Sequence, residues 1–405
     1  MDLQKTLAQA TSLDFNSLLP IINDLKNSGQ QKQAVFIINS ILQHDVNTEI
    51  KRALYHELSI CLFYTDYKEL GPKVLDHLLL KGDLGSIEFS NQAFYAPKIK
   101  IIEKYKPEIK CPLVKGSNQT YKPMNPSILK YKNGWLGLSR LVNYTQERAT
   151  NFKFISSDGV CRTKLVLLLM DKNFRVTYQT ILKDKSNRIR YEHSRVRYFE
   201  DAIPFWDNHE LYMLSNALDG NPNGMSVIYR CKIDIEAGEI VEAKPLASPQ
   251  NRVEKNWLPM TIPDKKGIHY LYSYDPVIIL NDQLDLKQYN QKRRFGTFRG
   301  GGGVVNYEIE SEKGYLVIVH EVGLYPGNSG RCYLHRFIWL NAEFEIKKMS
   351  HCWIFEHQGI EYCRSMIIDD NKLILGVGIE DRESWYYVID AELPKKQLID
   401  IRDFD

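Results

Sequence analysis

The sequence lacks the cysteine pairs, the basic leader and the long apolar run that mark several classes of protein. Its seven cysteines, an odd number, include no Cys-x-x-Cys pair, which argues against a disulfide framework and a zinc site. The first residues do not follow the order of a signal peptide, and no apolar run approaches the ~20 residues that span a bilayer. We therefore predict a cytoplasmic protein with reduced thiols, no metal site and no transmembrane segment.

The numbers of positively and negatively charged side chains are also nearly equal. Lysine and arginine number 53 against 50 aspartates and glutamates, so the net charge is +3. This charge is too small to indicate a nucleic-acid partner. Aromatic side chains, by contrast, are numerous, with 24 tyrosines and 6 tryptophans. Aromatic rings favour β-sheets and also line sugar-binding clefts, so the composition indicates a sheet-rich protein.

Residues 1–110 have the periodicity of paired amphipathic helices. In "SLDFNSLLPIINDLKNSG" the apolar residues Leu18, Leu19, Ile22 and Leu25 fall on one helical face, and Gly29 ends the segment. Similar segments follow, the last being "KELGPKVLDHLLLKGD". We predict a helical domain that resembles a tetratricopeptide array and serves for packing or for homo-oligomerisation.

Residues 120–405 change to short β-runs separated by turn residues. A unit of two apolar runs around a polar tip recurs five times, starting near residues 125, 200, 256, 301 and 361. Each unit is followed by further β-rich sequence, so each supplies about four strands. The chain is therefore predicted to be mainly β, a five-bladed β-propeller preceded by the helices. A β-sandwich is the structural alternative.

Polar residues recur at the same places in these units. In a propeller the first strands line the central channel, so their starts and the ends of the second strands meet at one mouth. Strand ends are also polar simply because they meet water, but the set as a whole suits a sugar or sugar-phosphate site. The unit starts carry Asn125, Glu200, Asp201, Lys255, Asn256, Arg299 and Glu361, and the second strands end at Arg140, Asn216, Asp275, His320 and Asp381.

The glycine run "FRGGGG" at 298–303 interrupts one of these units. Consecutive glycines weaken a strand, so we expect something to approach this backbone closely. The run matches neither a Walker nor a dinucleotide-binding fingerprint. We therefore predict no bound cofactor, only a sugar nucleotide or a sugar phosphate as co-substrate.

The order of these motifs resembles the five-bladed propellers of glycoside hydrolase family 130, which includes mannoside phosphorylases. The corresponding stretches run from Asn125-Pro126 through "FEDAI", "EKNWLP" and "GGGGVV…GYLVIVHE" to "GVGIED". By this resemblance Asp201 would be the catalytic acid or base of an inverting reaction, with Glu200 orienting it. Where the family has Pro-Arg after the two acids, this chain has Ala202-Ile203. Arg195, Arg197 or Arg299 would then have to replace the missing arginine.

The resemblance also assigns binding roles. Lys255 and His320 would form a cationic pair for a phosphate group, while Asn125, Arg140 and Asn256 would contact sugar hydroxyls or phosphate. Their positions at the mouth make Asp275, Arg299, Glu361 and Asp381 the remaining candidates for donor or substrate binding.

Three functions remain open at this point. The helices resemble segments joined to propellers in bacterial and viral proteins regarded as glycosyltransferases. This favours an inverting glycosyltransferase that moves a hexose such as mannose from an activated donor to a carbohydrate acceptor. The alternatives are a β-mannoside phosphorylase or hydrolase and a noncatalytic glycan-binding scaffold. An open mouth would favour an enzyme, and a mouth plugged by aromatic rings would favour the scaffold.

Overall fold

The computed structural model describes residues 15–42, 48–63, 96–146, 153–249, 254–289, 298–324, 331–357 and 359–404. Within these ranges, no helix is long and apolar enough to cross a membrane. The predicted helical segment "KELGPKVLDHLLLKGD" lies outside the described residues. The predicted domain boundaries, the tetratricopeptide likeness and the homo-oligomer stay predictions.

Three N-terminal helices support the helical part of the prediction. They are α1 (Phe15–Asn27), α2 (Gln31–Leu42) and α3 (Thr48–Phe63). One apolar cluster joins them, and it includes the predicted face residues Ile22 and Leu25. Gly29 follows α1 with a φ of +74°, a left-handed conformation that glycine adopts without a steric penalty.

The β region begins with β1 (Glu103–Tyr105) and forms five separate sheets of four or five strands. Blade 1 consists of β2 (Lys122–Tyr131), β3 (Gly134–Val142), β6 (Cys161–Met170) and β7 (Val176–Ile181). The short strands β4 (Tyr144–Thr145) and β5 (Lys153–Phe154) pair with each other in antiparallel fashion. The connection to blade 2 contains β8 (Lys183–Asp184) and β9 (Val196–Arg197), of which β9 pairs with β6.

Blades 2 to 5 follow in chain order. Blade 2 consists of β10 (Ile203–Asp207), β11 (Glu210–Ala217), β12 (Val227–Asp234) and β13 (Glu239–Leu246), with β8 at its outer edge. Blade 3 consists of β14 (Leu258–Met260), β15 (His269–Tyr274), β16 (Val277–Leu280) and β17 (Leu286–Gln288). Blade 4 contains β18 (Arg299–Ile309), β19 (Glu312–Leu324), β20 (Arg331–Asn341) and β21 (Ile346–Ser350), and blade 5 contains β22 (Glu361–Asp369), β23 (Lys372–Ile379) and β24 (Glu383–Asp390).

Both ends of the β region close the ring of blades. The N-terminal strand β1 pairs with β24 and so completes blade 5. After the short helix α4 (Leu393–Gln397), the strand β25 (Leu398–Asp400) pairs with β21 of blade 4, and a 3₁₀ turn (Ile401–Phe404) follows. This confirms the predicted five-bladed propeller over the sandwich, because each predicted hairpin forms the first two strands of its own sheet.

The core lies between neighbouring blades. Separate apolar clusters join blade 1 to blade 2, blade 4 to blade 5, and blade 5 back to blade 1, while one cluster spans blades 2 to 4. The first strands of neighbouring blades contact one another. They therefore surround the axis, as expected for the innermost strands of a propeller.

β-Bulges change the direction of side chains on three of these inner strands. The pairing register shifts between Met124 and Ser127, between Gly300 and Val304, and between Cys363 and Ser365. A bulge breaks the alternation of a strand and turns a side chain out of the sheet. Asn125 and Arg364, which lie at two of these bulges, both reach Asp201 of blade 2. The bulges thus allow two blades to contact Asp201, Asn125 at its carboxylate and Arg364 at its backbone carbonyl.

The expectation of a close approach to the glycine run is confirmed, and the approaching groups belong to neighbouring blades. A Cβ on Gly300 would lie 1.6 Å from Tyr274 Oη, and one on Gly301 would lie 2.4 Å from the carbonyl oxygen of Cys363. Gly303 has a φ of +78°, and a Cβ there would meet the backbone of Met366 at 2.9 Å. The glycines therefore let β18 pack directly against its neighbours.

Gly303→Ala should destabilise the protein more than Gly116→Ala. Both glycines have a φ of +78°, but a Cβ on Gly116 would meet nothing within 4 Å. The left-handed conformation alone costs about 1–2 kcal/mol for alanine, and overpacking at Gly303 adds about 1–3 kcal/mol. Urea unfolding of both variants measures the difference. Equal losses would contradict the proposed packing.

Candidate active site

An open cavity of about 800 Å³ lies where the strand ends of all five blades meet. Of the twelve polar residues predicted at the mouth, it contains nine, namely Asn125, Arg140, Glu200, Asp201, Lys255, Asn256, Arg299, His320 and Asp381. The structure therefore brings together residues that lie up to 256 positions apart in the sequence, from Asn125 to Asp381.

Arg140 lies at the centre of the charged groups. Its side chain, 7% exposed, donates from Nη2 to Glu200 Oε1 at 2.5 Å and from Nη1 to Asp201 Oδ1 at 3.3 Å. Burial alone would lower the pKa of a guanidinium, but the two carboxylates raise that of Arg140 well above its usual value. One buried cation thus holds both neighbouring acids.

Asp201 is the carboxylate best placed for chemistry. Its side chain is 18% exposed and accepts a hydrogen bond from Asn125 Nδ2 at 2.8 Å. Burial raises its pKa, but the charge of Arg140, the bond from Asn125 and the charges of Arg364 and Lys255 outweigh burial and lower it. Asp201 is therefore ionised at neutral pH in this arrangement.

Glu200 has its oxygens occupied by protein groups. Beyond Arg140, its Oε2 accepts from Asn216 Nδ2 at 2.7 Å and lies 3.5 Å from Lys255 Nζ. Its backbone carbonyl accepts from the Ser215 hydroxyl. This arrangement fits the predicted orienting role, because Glu200 fixes Arg140 and Lys255 beside Asp201.

Asp381 differs from Asp201 in its protonation. Burial raises its pKa to about 7; Arg140 lowers it, while the charges of Asp201, Glu380 and Glu200 raise it further. Gln146 donates a hydrogen bond to its Oδ2. One cavity therefore contains an ionised carboxylate and a carboxyl group that titrates near neutrality, a pattern that separates proton acceptors from proton donors.

Aromatic rings and cations form the blade 4 wall. The His320 ring stacks on Tyr333 with ring centroids 4.8 Å apart and packs edge-on against Tyr362. Burial, with the charges of His335 and Arg299, lowers the pKa of His320 well below 6.5, so its imidazole is neutral. Arg299 and Arg331 supply the positive charge of this wall instead.

Asn216, Asp275 and Glu361 lie outside the cavity lining. Asp275 is 7% exposed and precedes the cis bond to Pro276 in the turn between β15 and β16. Glu361 is fully buried, and its carboxylate accepts three hydrogen bonds from the backbone N–H groups of Phe355, Glu356 and His357. These contacts give Glu361 a structural role in holding that segment.

Arg364, like Arg331 of the cavity lining, is a site residue that was not predicted from the sequence. It is 3% exposed and donates from Nη2 to the backbone carbonyl of Asp201 at 2.9 Å. The proposed substitutes Arg195, Arg197 and Arg299 line the cavity, but among the described residues it is Arg140 and Arg364 that donate hydrogen bonds to Asp201. The signal was available, since Arg364 is a charge inside a predicted strand, between Tyr362-Cys363 and the apolar Met366-Ile367-Ile368.

Within the described parts of the chain, no group of three or more His, Cys, Asp or Glu side chains could hold a metal ion. The groups available in the cavity are guanidinium, ammonium, amide, phenol and carboxyl groups. Such groups bind oxyanions and sugar hydroxyls.

Comparison with known proteins identifies the fold. Neither a family model nor a curated protein matches the sequence. Among solved structures, the β-1,2-mannobiose phosphorylase of Listeria innocua is 14% identical, with a TM-score of 0.50, over 73% of this chain and 99% of that one. A mannose phosphorylase from Leishmania mexicana in complex with phosphate ion is 13% identical, with a TM-score of 0.44, over 74% and 92%.

A third structure comes from work on the GH130 family of mannoside phosphorylases, which contains glycoside hydrolases that target β-1,2 mannosidic linkages in Candida mannan. It is 10% identical, with a TM-score of 0.48, over 73% of this chain and 96% of that one. The likeness to the Listeria innocua structure confirms that this chain has the five-bladed fold of glycoside hydrolase family 130, as its motifs indicated.

Arg140→Met should destabilise the protein by about 3–5 kcal/mol, because it leaves two buried carboxylates without their cation. The matched control is Lys347→Met, which removes a pair with Glu345 whose side chains are 44% and 48% exposed. That change should cost less than about 1 kcal/mol. Chemical unfolding at pH 7 compares them, and similar small losses would contradict the role of Arg140.

Asp381→Asn should become increasingly stabilising, relative to wild type, as the pH rises from about 4 to 7. The pKa of Asp381 is about 7 in the folded protein, above the ordinary 3.8, so over this interval the unfolded chain loses the proton while the folded protein still holds it. The free energy of unfolding of the wild type therefore falls as the pH rises. Asparagine does not titrate. Asp158→Asn is the contrasting control, because Arg162 lowers the pKa of Asp158. Thermal unfolding across this pH range tests the difference, and parallel curves for wild type and Asp381→Asn would contradict it.

Proposed function

We propose that the protein is an inverting glycoside phosphorylase that acts on β-mannosides. The observation that carries the proposal is that the carboxylate of Asp201 lies in an open cavity shared with Lys255, Arg299 and Arg331. Phosphate needs such cations, and an open cavity is what an enzyme, rather than a scaffold, requires. The shared fold with a β-1,2-mannobiose phosphorylase supports mannoside as the substrate class.

The phosphate would bind at the blade 4 wall. The side chains of Arg299 and Arg331 have no hydrogen bond or ion pair among the described residues, and their charges act on Tyr333 together with that of Asp201. Lys255, with its side chain 51% exposed, extends from blade 3. A phosphate here would find several cations close to the catalytic carboxylate, and the neutral His320 can donate a hydrogen bond to it.

The reaction would proceed by direct displacement. A phosphate oxygen attacks the anomeric carbon from the face opposite the glycosidic oxygen, the carbon–oxygen bond breaks, and the leaving oxygen takes a proton. A phosphate dianion bound beside Asp201 raises the pKa of that carboxyl, which can then carry the proton it donates. In the reverse direction the Asp201 carboxylate accepts the proton of the acceptor hydroxyl.

Two features bear on the alternatives. Ala202 and Ile203, which stand in place of Pro-Arg, are 2% and 6% exposed, and Arg140 and Arg364 place guanidinium groups against Asp201. The missing family arginine counts against simple phosphorolysis, and in this proposal Lys255, Arg299 and Arg331 supply the cations for phosphate instead. The glycosyltransferase favoured by the sequence stays a prediction, with the lowered pKa of Asp201 as its support, because such a carboxylate can act as a base.

The test is phosphate-dependent cleavage of β-1,2-mannobiose. Wild-type protein should release mannose 1-phosphate, and Asp201→Asn should lower kcat about 10²–10⁴-fold, because the amide cannot transfer the proton. Asp285→Asn, in an exposed turn of blade 3, should leave the rate unchanged. Ion chromatography of the products measures the release.

Parallel reactions separate the alternatives. Release of free mannose without phosphate would identify a hydrolase, and consumption of a sugar nucleotide would identify a transferase. If a panel of mannosides with phosphate gives no product, or if Asp201→Asn retains the wild-type rate, the proposal is wrong.

A further inference from the structure

The cavity has a second cationic wall, opposite the one proposed to bind phosphate. In a ring of five blades, the junction of blades 1 and 2 faces blade 4. The connection that contains β9 forms the wall at this junction and contributes His193, Arg195 and Arg197 to the cavity. Phosphorolysis needs one phosphate, for which blade 4 already supplies cations. The charge at this junction is therefore surplus to that reaction.

Arg195 is the cation of this wall that has no carboxylate partner. Neighbouring Arg197 is paired, since it contacts the carboxylate of Glu192 at 2.7 Å and the Glu192 carbonyl at 2.5 Å. The Arg195 side chain is exposed and has no hydrogen bond or ion pair among the described residues. An arginine that faces a binding cavity without a partner is available for a ligand carboxylate or phosphate.

The backbone around Arg195 is held in place. Its carbonyl accepts from the backbone N–H of Cys161 at 3.0 Å, and the next residue begins the strand β9 that pairs with β6. His193 is also anchored, since its Nε2 lies 2.8 Å from the carbonyl oxygen of Pro222. Arg195 thus extends from a fixed segment, which reduces the ordering needed to bind a ligand.

An exposed aromatic ring belongs to the same wall. Phe154 on β5 is 41% exposed and lines the cavity, and it packs edge-on against the buried Tyr144 with ring centroids 6.3 Å apart. An exposed ring held by a second ring offers a flat apolar surface to the face of a sugar. Together, ring and guanidinium match a sugar that carries a negative group.

We propose that the sugar released by phosphorolysis, which is the acceptor in the reverse reaction, carries a phosphate or carboxylate group that Arg195 binds beside Phe154. The proposal rests on the proposed function, because it names the leaving group of that reaction. It places the anionic sugar at the junction of blades 1 and 2 and the reacting phosphate at blade 4, with Asp201 between them.

Acceptor kinetics in the reverse direction test this proposal. With mannose 1-phosphate as donor, glucose 6-phosphate or glucuronic acid should have a KM at least tenfold lower than glucose. Arg195→Gln should raise the KM of the charged acceptor about tenfold and leave kcat and the KM of glucose unchanged. Whether glucose 6-phosphate or glucuronic acid responds more strongly distinguishes phosphate from carboxylate as the recognised group.

Arg190→Gln is the matched control, because Arg190 is an exposed arginine of the same connection that lies outside this cavity. It should change neither KM. Equal use of neutral and charged acceptors, or an equal effect of Arg195→Gln on both, would overturn the inference while the phosphorylase stands.

Calorimetric titration with glucose 6-phosphate and glucuronic acid decides the matter independently of turnover. If Arg195→Gln weakens binding of a charged sugar and Arg190→Gln does not, the anionic subsite is supported. This holds even if no mannosyl transfer occurs, and in that case only the proposed function fails. Absence of Arg195-dependent binding for both sugars overturns the inference.

Discussion

A single buried guanidinium organises the chemistry of this propeller. Arg140, from the second strand of blade 1, contacts two adjacent acids that precede the first strand of blade 2. Two carboxylates so close together would otherwise repel each other and lose hydration, so the cation is a condition of their coexistence. Around these three side chains, blade 1 adds the amide of Asn125, blade 5 adds the guanidinium of Arg364, and Lys255 comes from the segment before blade 3. The position and charge of Asp201 depend on all of them.

The sequence predicted the architecture well because the repeated hairpins carry their own information. Alternating apolar runs around polar tips indicated five sheets, and the position of each tip identified Asp201, Lys255 and His320 as neighbours in space. The glycine run likewise indicated a close approach. What approaches, Tyr274 and the first strand of blade 5, depends on the packing of neighbouring blades, which periodicity does not contain.

The parts that the sequence did not predict come from bulges and burial. Arg364 reaches Asp201 because the register of its strand shifts between Cys363 and Ser365, and no motif marks that shift. Glu361 was expected at the mouth, but its side chain is buried in the protein. Successive side chains of a strand point to opposite faces, so an error of one position turns a side chain away from the cavity. Protonation is equally hidden, since burial and neighbouring charges make Asp381 titrate near neutrality and keep His320 neutral.

The central claim is that Asp201 faces the bond that is made and broken, with a phosphate held opposite by blade 4. A crystal structure with phosphate and a non-hydrolysable mannoside tests it most directly. The account predicts phosphate oxygens on Arg299 and Lys255, and the glycosidic atom within about 3 Å of the Asp201 carboxyl or one water away. A sugar bound outside this cavity, or Asp201 turned away from a sugar bound within it, would contradict the account.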